Sequence, residues 1–245
     1  MPSKTKQTKK QTTTTTATNT NEISSTAADV APQPILPKWP PMQPLVAPTD
    51  LTLTALLPDQ ILTISRFWTT ALCKSYVAFL ATLPLITTPG TPKKGHAVRV
   101  NDRYQVEDSA FAERLWSGTA LKELVEHPVT FASTVTAKAN SLISTVNDDS
   151  NNISFTTSTS TIAARTTWTL LLYLSSPATG CQGGETVFYP EPLSKRQAAP
   201  PPVVADIEVG MALLHRHGKD CLLHEGREVL DGEKWVIRSD LCVRR

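Results

Sequence analysis

His224, Lys234 and Arg238 are the residues whose types and spacing most suggest chemistry: a neutral imidazole can ligate a metal, and two downstream cations can hold an anion. The run from Gly210 to Arg245 that carries them reads as short apolar strands separated by Gly and Asp-Gly turn signals. Register decides whether the three side chains meet. With a three-residue loop from Leu230 to Gly232, and Gly232 left-handed, His224 falls opposite Arg238 and Lys234 shares that face roughly 13 Å away. Such a span suits a short dicarboxylate held by a metal at one end and by a cation at the other. The same spacing also suits a surface histidine and two solvated cations on an edge hairpin. His215 and His217 alternate onto one strand face, a conceivable His-x-His metal pair, although surface or strand-end histidines fit that pattern more often. His96 and His127 stand alone in polar contexts and are given no role.

Gly183-Gly184-Glu185-Thr186-Val187-Phe188, then Gly210-Met211-Ala212-Leu213-Leu214, then His224-Glu225-Gly226 with Lys234-Trp235, together resemble the core of the prolyl 4-hydroxylase-like iron(II)/2-oxoglutarate dioxygenases, fungal members in particular. The resemblance covers about Leu56 to Arg245 and is most specific from Thr167 onward. It implies a mainly β fold with flanking α, a double-stranded β-helix (jelly roll) with N-terminal supporting helices. It also implies iron(II) held by a His-x-Asp/Glu pair and a distal His, with 2-oxoglutarate as co-substrate, ascorbate in support and O2 consumed. The resemblance puts Asp148 at the carboxylate position and His224 at the distal one. Lys234, ten residues past His224, matches the position of the cation for the far carboxylate, and Arg238 is the second choice. Tyr173 is a candidate 2-oxoglutarate contact, with a plain core tyrosine as the alternative. Arg103 and Tyr104 fall near the mouth and are weaker candidates for substrate contact, beside ordinary solvent exposure. The substrate itself is not identified: a protein, prolyl side chains included, is the family's best-known target.

The first iron-ligating His is absent. Val146 stands in its place, two residues before Asp148, and Val cannot ligate a metal. Between His127 and Asp148 the chain is rich in Thr, Ser and Ala where the family carries an aromatic strand. Joining the third base of each codon from Ser133 to Ser144 to the first two bases of the next permits Tyr-Arg-Tyr-Ser-Lys-Gly-Gln-Phe-Phe-Asp-Gln-His. That is a family-like strand ending in the missing ligand, so the segment around 130–146 is expected to be read out of frame. Sequencing the transcript tests this. Two functions follow, a 2-oxoglutarate-dependent dioxygenase releasing succinate, or a catalytically impaired jelly-roll binding or scaffold protein. Asp148-Asp149 by itself also reads as a turn.

Stepping outward, residues 1–30 are Thr- and Lys-rich and lack large apolar side chains, so a disordered tail is expected. Lys4 to Lys10 could serve as a nuclear address, though a solvated tail is the simpler reading. Residues 31–50 form a Pro-rich linker, which Trp39 could lay across the domain. The domain spans 51–245, with helical support over 51–128 and a jelly-roll core over 129–245. Leu72, Tyr76, Phe79, Leu80 and Leu83 at helical spacing predict a helix over Thr70–Leu83 that packs one apolar face on the sheet. Ser109–Trp116 and Ala120–Val125 read as two further helical stretches, and Thr167–Leu174 as a strand apolar on both faces. Glu185 and Thr186 are expected to make structural hydrogen bonds, and Ser194–Pro202 to be an exposed insertion. The net charge of +2 is too small to point to nucleic acid. No apolar run reaches the length of a membrane span and no hydrophobic region follows the basic start, so an intracellular protein, cytoplasmic or nuclear, is expected. The four cysteines, Cys73, Cys181, Cys221 and Cys242, form no CxxC pair and read as reduced, mostly buried thiols rather than a zinc site.

Overall fold

The computed structural model describes residues 36–87, 101–126, 153–156, 161–192 and 194–244. In chain order the elements are β1 (Leu53–Leu57), β2 (Ile61–Ile64), α1 (Thr70–Leu80), β3 (Ile86–Thr87), β4 (Asp102–Arg103), α2 (Ser109–Ser117) and α3 (Leu121–Glu126). They continue as β5 (Ile153–Thr156), β6 (Thr161–Tyr173), β7 (Gln182–Gly183), β8 (Thr186–Tyr189), β9 (Val203–Ala205), β10 (Ala212–Arg216), β11 (Leu223–Gly226), β12 (Val229–Asp231) and β13 (Val236–Arg244). The protein is mainly β, built of antiparallel sheets with few helices. The largest sheet runs β1-β2-β10-β6-β13, with β5 also on β6, and a smaller one runs β11-β8-β9. Two ribbons, β12 with β7 and β3 with β4, complete the pairing among the described residues.

β6 explains the layering. Its residues are apolar on both faces, as a strand between two cores requires. Leu170, Leu172 and Leu174 join Ala212 and Leu214 of β10 in a core with Leu72, Cys73 and Tyr76 of α1 and Phe111, Leu115 and Trp116 of α2. Tyr173, on the opposite face by alternation, joins Met211, Leu213 and Ile61 against Phe188 and Ala205 of the smaller sheet. The same alternation puts Thr169 and Leu171, His215, and Arg238 and Asp240 on the face toward β8 and β11.

The helices lie close to where spacing places them. α1 starts on Thr69, whose hydroxyl accepts from Leu72 N, and it ends at Leu80. Past Leu80 the bonds tighten to i→i−3, Thr82 N to Phe79 O and Leu83 N to Leu80 O, ahead of Pro84, which disfavours helical geometry at the residue before it. α2 starts on Asp108, whose carboxylate accepts from Phe111 N at 2.8 Å. That carboxylate also accepts from Trp39 Nε1 at 2.7 Å, and the Trp39 ring packs on Tyr76, Phe79 and Phe111. Met42, Leu45 and Val46 pack on the same core, so residues 36–46 form a strap across α1 and α2.

The expected β11–β13 hairpin does not form. β11 pairs with β8, the next strand β12 pairs with β7, and β13 pairs with β6 in the other sheet. Gly232 is left-handed as expected, with φ +74, and a Cβ there would lie 2.2 Å from Gly180 O. The turn therefore serves to carry the chain from one sheet to the other. Ser194–Pro202 is exposed, as expected, and the chain returns to strand over Val203–Ala205 as β9.

Candidate functional site

Two adjoining groups of side chains occupy the space between the sheets. The first is built on β8 and β11, where His224 pairs with Phe188 and Gly226 with Thr186. Thr186 Oγ1 lies 2.7 Å from Tyr173 Oη, and both side chains are buried. Burial pushes the Tyr173 phenol up to about 12, so it remains a neutral hydroxyl. Lys234 enters from the turn before β13, donates from Nζ to Gly184 O and sits 5.5 Å from the Tyr173 ring centroid. Burial lowers its pKa, while Cys181 and Glu185 act in the opposite direction. A Cβ on Gly226 would be 3.7 Å from Lys234 Nζ. The ammonium thus stands two strand positions from His224, about 7 Å along β11, rather than the longer span of a hairpin. Glu185 is half-buried and Thr186 makes the structural hydrogen bond expected of it.

The second group surrounds His224 itself. His215, at the end of β10, is only 5% exposed, and its ring centroid lies 4.7 Å from that of His224. Phe188 packs on both rings, at 5.5 and 5.4 Å. Cys221 Sγ completes the group at 3.7 Å from His215 Nδ1 and 3.6 Å from His224 Nδ1. Burial lowers the His215 pKa to about 4, helped by His224, Arg238 and His217 and opposed by its hydrogen bond to Arg216 O. His215 is therefore a neutral imidazole near pH 7. Burial raises the Cys221 pKa and the Arg238 charge counters it. Arg238 is exposed, on the β13 face toward this group; burial raises the pKa of Asp240, with the Thr169 hydrogen bond and the Arg238 charge working against that rise. Asp240 Oδ1 accepts from Thr169, whose hydroxyl meets His217 Nδ1 at 3.0 Å.

His215 corrects one expectation, and Cys221 stands in a setting that its spacing does not show. His215 is no surface histidine, because the smaller sheet covers the end of β10 through Phe188. No disulfide joins Cys73, Cys181, Cys221 and Cys242, and three of the four are buried, as expected, while Cys221 stands against two histidines without any CxxC spacing. The signal in the sequence was the short run His215, Cys221, His224 around a turn, Gly218–Asp220, that folds it back on itself.

Of the ligands that the resemblance implies, only His224 lies among the described residues; Asp148, and Val146 at the place of the missing His, lie outside them, as does the whole of 130–146. Among the described residues the donors beside His224 are an imidazole and a thiol, His215 and Cys221. Lys234 and the Tyr173 and Thr186 hydroxyls, a cation beside two neutral hydroxyls, are groups of a kind that can meet a carboxylate. Arg103 is exposed on β4 and Tyr104 is half-buried beside it, on a ribbon separate from the sheets that carry His224 and Tyr173. Among the described residues no helix is long and apolar enough to cross a membrane. Compared with models of known protein families and with curated proteins, the chain matches none.

Proposed function

We propose that this chain is a jelly-roll domain of the iron(II)/2-oxoglutarate dioxygenase type that keeps the co-substrate end of the site, while the metal end of the chain as written is incomplete. The observation that carries this reading is the convergence of Lys234, Tyr173 and Thr186 beside Gly226, two residues from His224. Among the described residues Gly184 O accepts one of the three ammonium donors of Lys234, and the remaining donors, with the one hydroxyl proton not spent between Tyr173 and Thr186, suit a carboxylate. Arg238, exposed and nearer His215 and Cys221, is the second cation.

Bound iron(II) and 2-oxoglutarate, with ascorbate and O2, would supply the oxidation that hydroxylates a substrate, a protein or its prolyl side chains in the leading case, and releases succinate. This chain's own residues bind and orient the co-substrate: Lys234 neutralises the far carboxylate, the hydroxyl pair fixes its direction, and Phe188 with Leu213 walls off water. The second reading, a catalytically impaired binding or scaffold protein of the same fold, is favoured by Val146 at the ligand position.

Calorimetric titration with 2-oxoglutarate, with and without iron(II) under nitrogen, tests the shared part of both readings. Lys234→Ala is expected to weaken binding by about tenfold or more, because a hydrogen bond to a charged group contributes about 1.5–3 kcal/mol. Loss in Arg238→Ala with Lys234→Ala unchanged would move the carboxylate to Arg238, and absence of binding in every form would remove the co-substrate reading.

A further inference from the structure

His215, Cys221 and His224 each offer one donor atom, and these atoms lie within 4.8 Å of one another. Neither His215 nor Cys221 belongs to the ligand set that the dioxygenase resemblance implies. The run that holds them is local: His215 near the end of β10, the Gly218–Asp220 turn, then Cys221 and β11. Both imidazoles set Nδ1 against a backbone carbonyl at 2.9 Å, Arg216 O for His215 and Leu222 O for His224. A carbonyl only accepts, so each ring carries its proton on Nδ1 and its lone pair on Nε2. Metal-binding histidines are commonly held in this way, one ring N–H tied to a carbonyl and the other nitrogen free to ligate. Cys221 Sγ lies on the Nδ1 side of both rings, 3.7 and 3.6 Å away, and a tetrahedral ion with bonds of about 2.0–2.3 Å needs donors about 3.5 Å apart, so closing the three around an ion takes a rotation of Cys221 and the rings that brings the thiol to the Nε2 side. Phe188 walls one side of both rings, and Cys221 and His224 are half-buried, which leaves a way in from solvent.

We propose that His215, Cys221 and His224 form a binding site for a borderline-soft divalent cation, zinc(II) first, with a solvent molecule as fourth ligand. Two imidazoles and a thiolate are a donor set that zinc takes, whereas non-haem iron oxygenases use two histidines and a carboxylate. On binding, the Cys221 thiol releases its proton to solvent and the sulfur forms the metal bond. His224 is common to this site and to the iron site of the proposed dioxygenase, so the two ions exclude each other. The inference rests on the observed placement of the three side chains, and it stands whether or not the dioxygenase reading does.

The test uses the full chain, freed of metal by chelation and titrated with zinc(II) and cobalt(II) against a chromophoric chelator. About one equivalent of either ion is expected, with a thiolate-to-cobalt charge-transfer band in the near ultraviolet. Cys221→Ser should abolish that band, and His215→Gln should weaken zinc binding by at least about tenfold, since even partners behind a ligand are worth that much. Asp148→Asn should leave zinc binding unchanged. A cobalt spectrum without the thiolate band, or one that survives Cys221→Ser, would overturn the site. So would loss of binding in Asp148→Asn, which would place the ion in the iron site instead. Circular dichroism of each variant separates loss of the site from loss of the fold, and Cys221→Ala, at a half-buried thiol, carries the test if His215→Gln does not fold.

Discussion

At the scale of single residues, His215 is the group whose environment departs furthest from what its neighbours in the chain suggest. Its folded pKa, near 4, is below the ordinary 6.5. A base with a depressed folded pKa takes up its proton more readily when unfolded, so stability is full above about pH 6.5 and falls as pH drops toward 4. The loss should be of the order of 3 kcal/mol. Asp240, whose pKa burial raises, works in the opposite direction. Chemical denaturation of the metal-free protein at pH 7 and pH 4.5, with His215→Gln as reference, isolates the histidine. The wild-type chain should lose more stability than the variant over that interval, and equal losses would mean that His215 is not buried as a neutral ring. The same residue marks the limit of reading the sequence. Alternation puts His215 and His217 on one face, but what makes one buried and neutral is Phe188 from another sheet, and no local pattern reports a covering strand.

At the scale of elements, helices were legible and sheet partners were not. The spacing of Leu72 and Tyr76, and of Phe111 and Leu115, is a local property that fixes which side of each helix is apolar. Strand pairing is long-range: Leu223–Gly226 and Val236–Arg244 look like a hairpin in sequence, yet they belong to different sheets. The outcome brings Lys234 closer to His224 than a hairpin would, because its side chain returns over β8 and β11 rather than running on beyond them. The strap at residues 36–46 is the other element-scale device. Trp39 combines three aromatic contacts with a hydrogen bond to the carboxylate that caps α2. Trp39→Ala should cost about 2–4 kcal/mol, somewhat below a fully buried Trp truncation because the ring is half-buried. Trp39→Phe should lose about 1–3 kcal/mol, for the carboxylate left with one partner fewer. Urea denaturation gives both, and a neutral Trp39→Ala would mean that the strap lies on the domain without stabilising it.

At the scale of the whole molecule, the sequence conveyed the balance of mainly β with flanking helices, and the strand-rich character of the last third. It conveyed less of the site because the residues that complete it come from segments far apart: Tyr173 from β6, Thr186 from β8, Lys234 from the approach to β13. The chemistry proposed for them depends on the segment where Val146 replaces the expected ligand, and that dependence is open to direct measurement. Turnover of 2-oxoglutarate to succinate, with iron(II) and ascorbate, should be compared between the chain as written and a chain carrying the alternative reading of Ser133–Ser144. The proposal predicts turnover in the restored chain and little or none in the chain as written; equal turnover in both would contradict the ligand assignment, and none in either would contradict the dioxygenase reading itself.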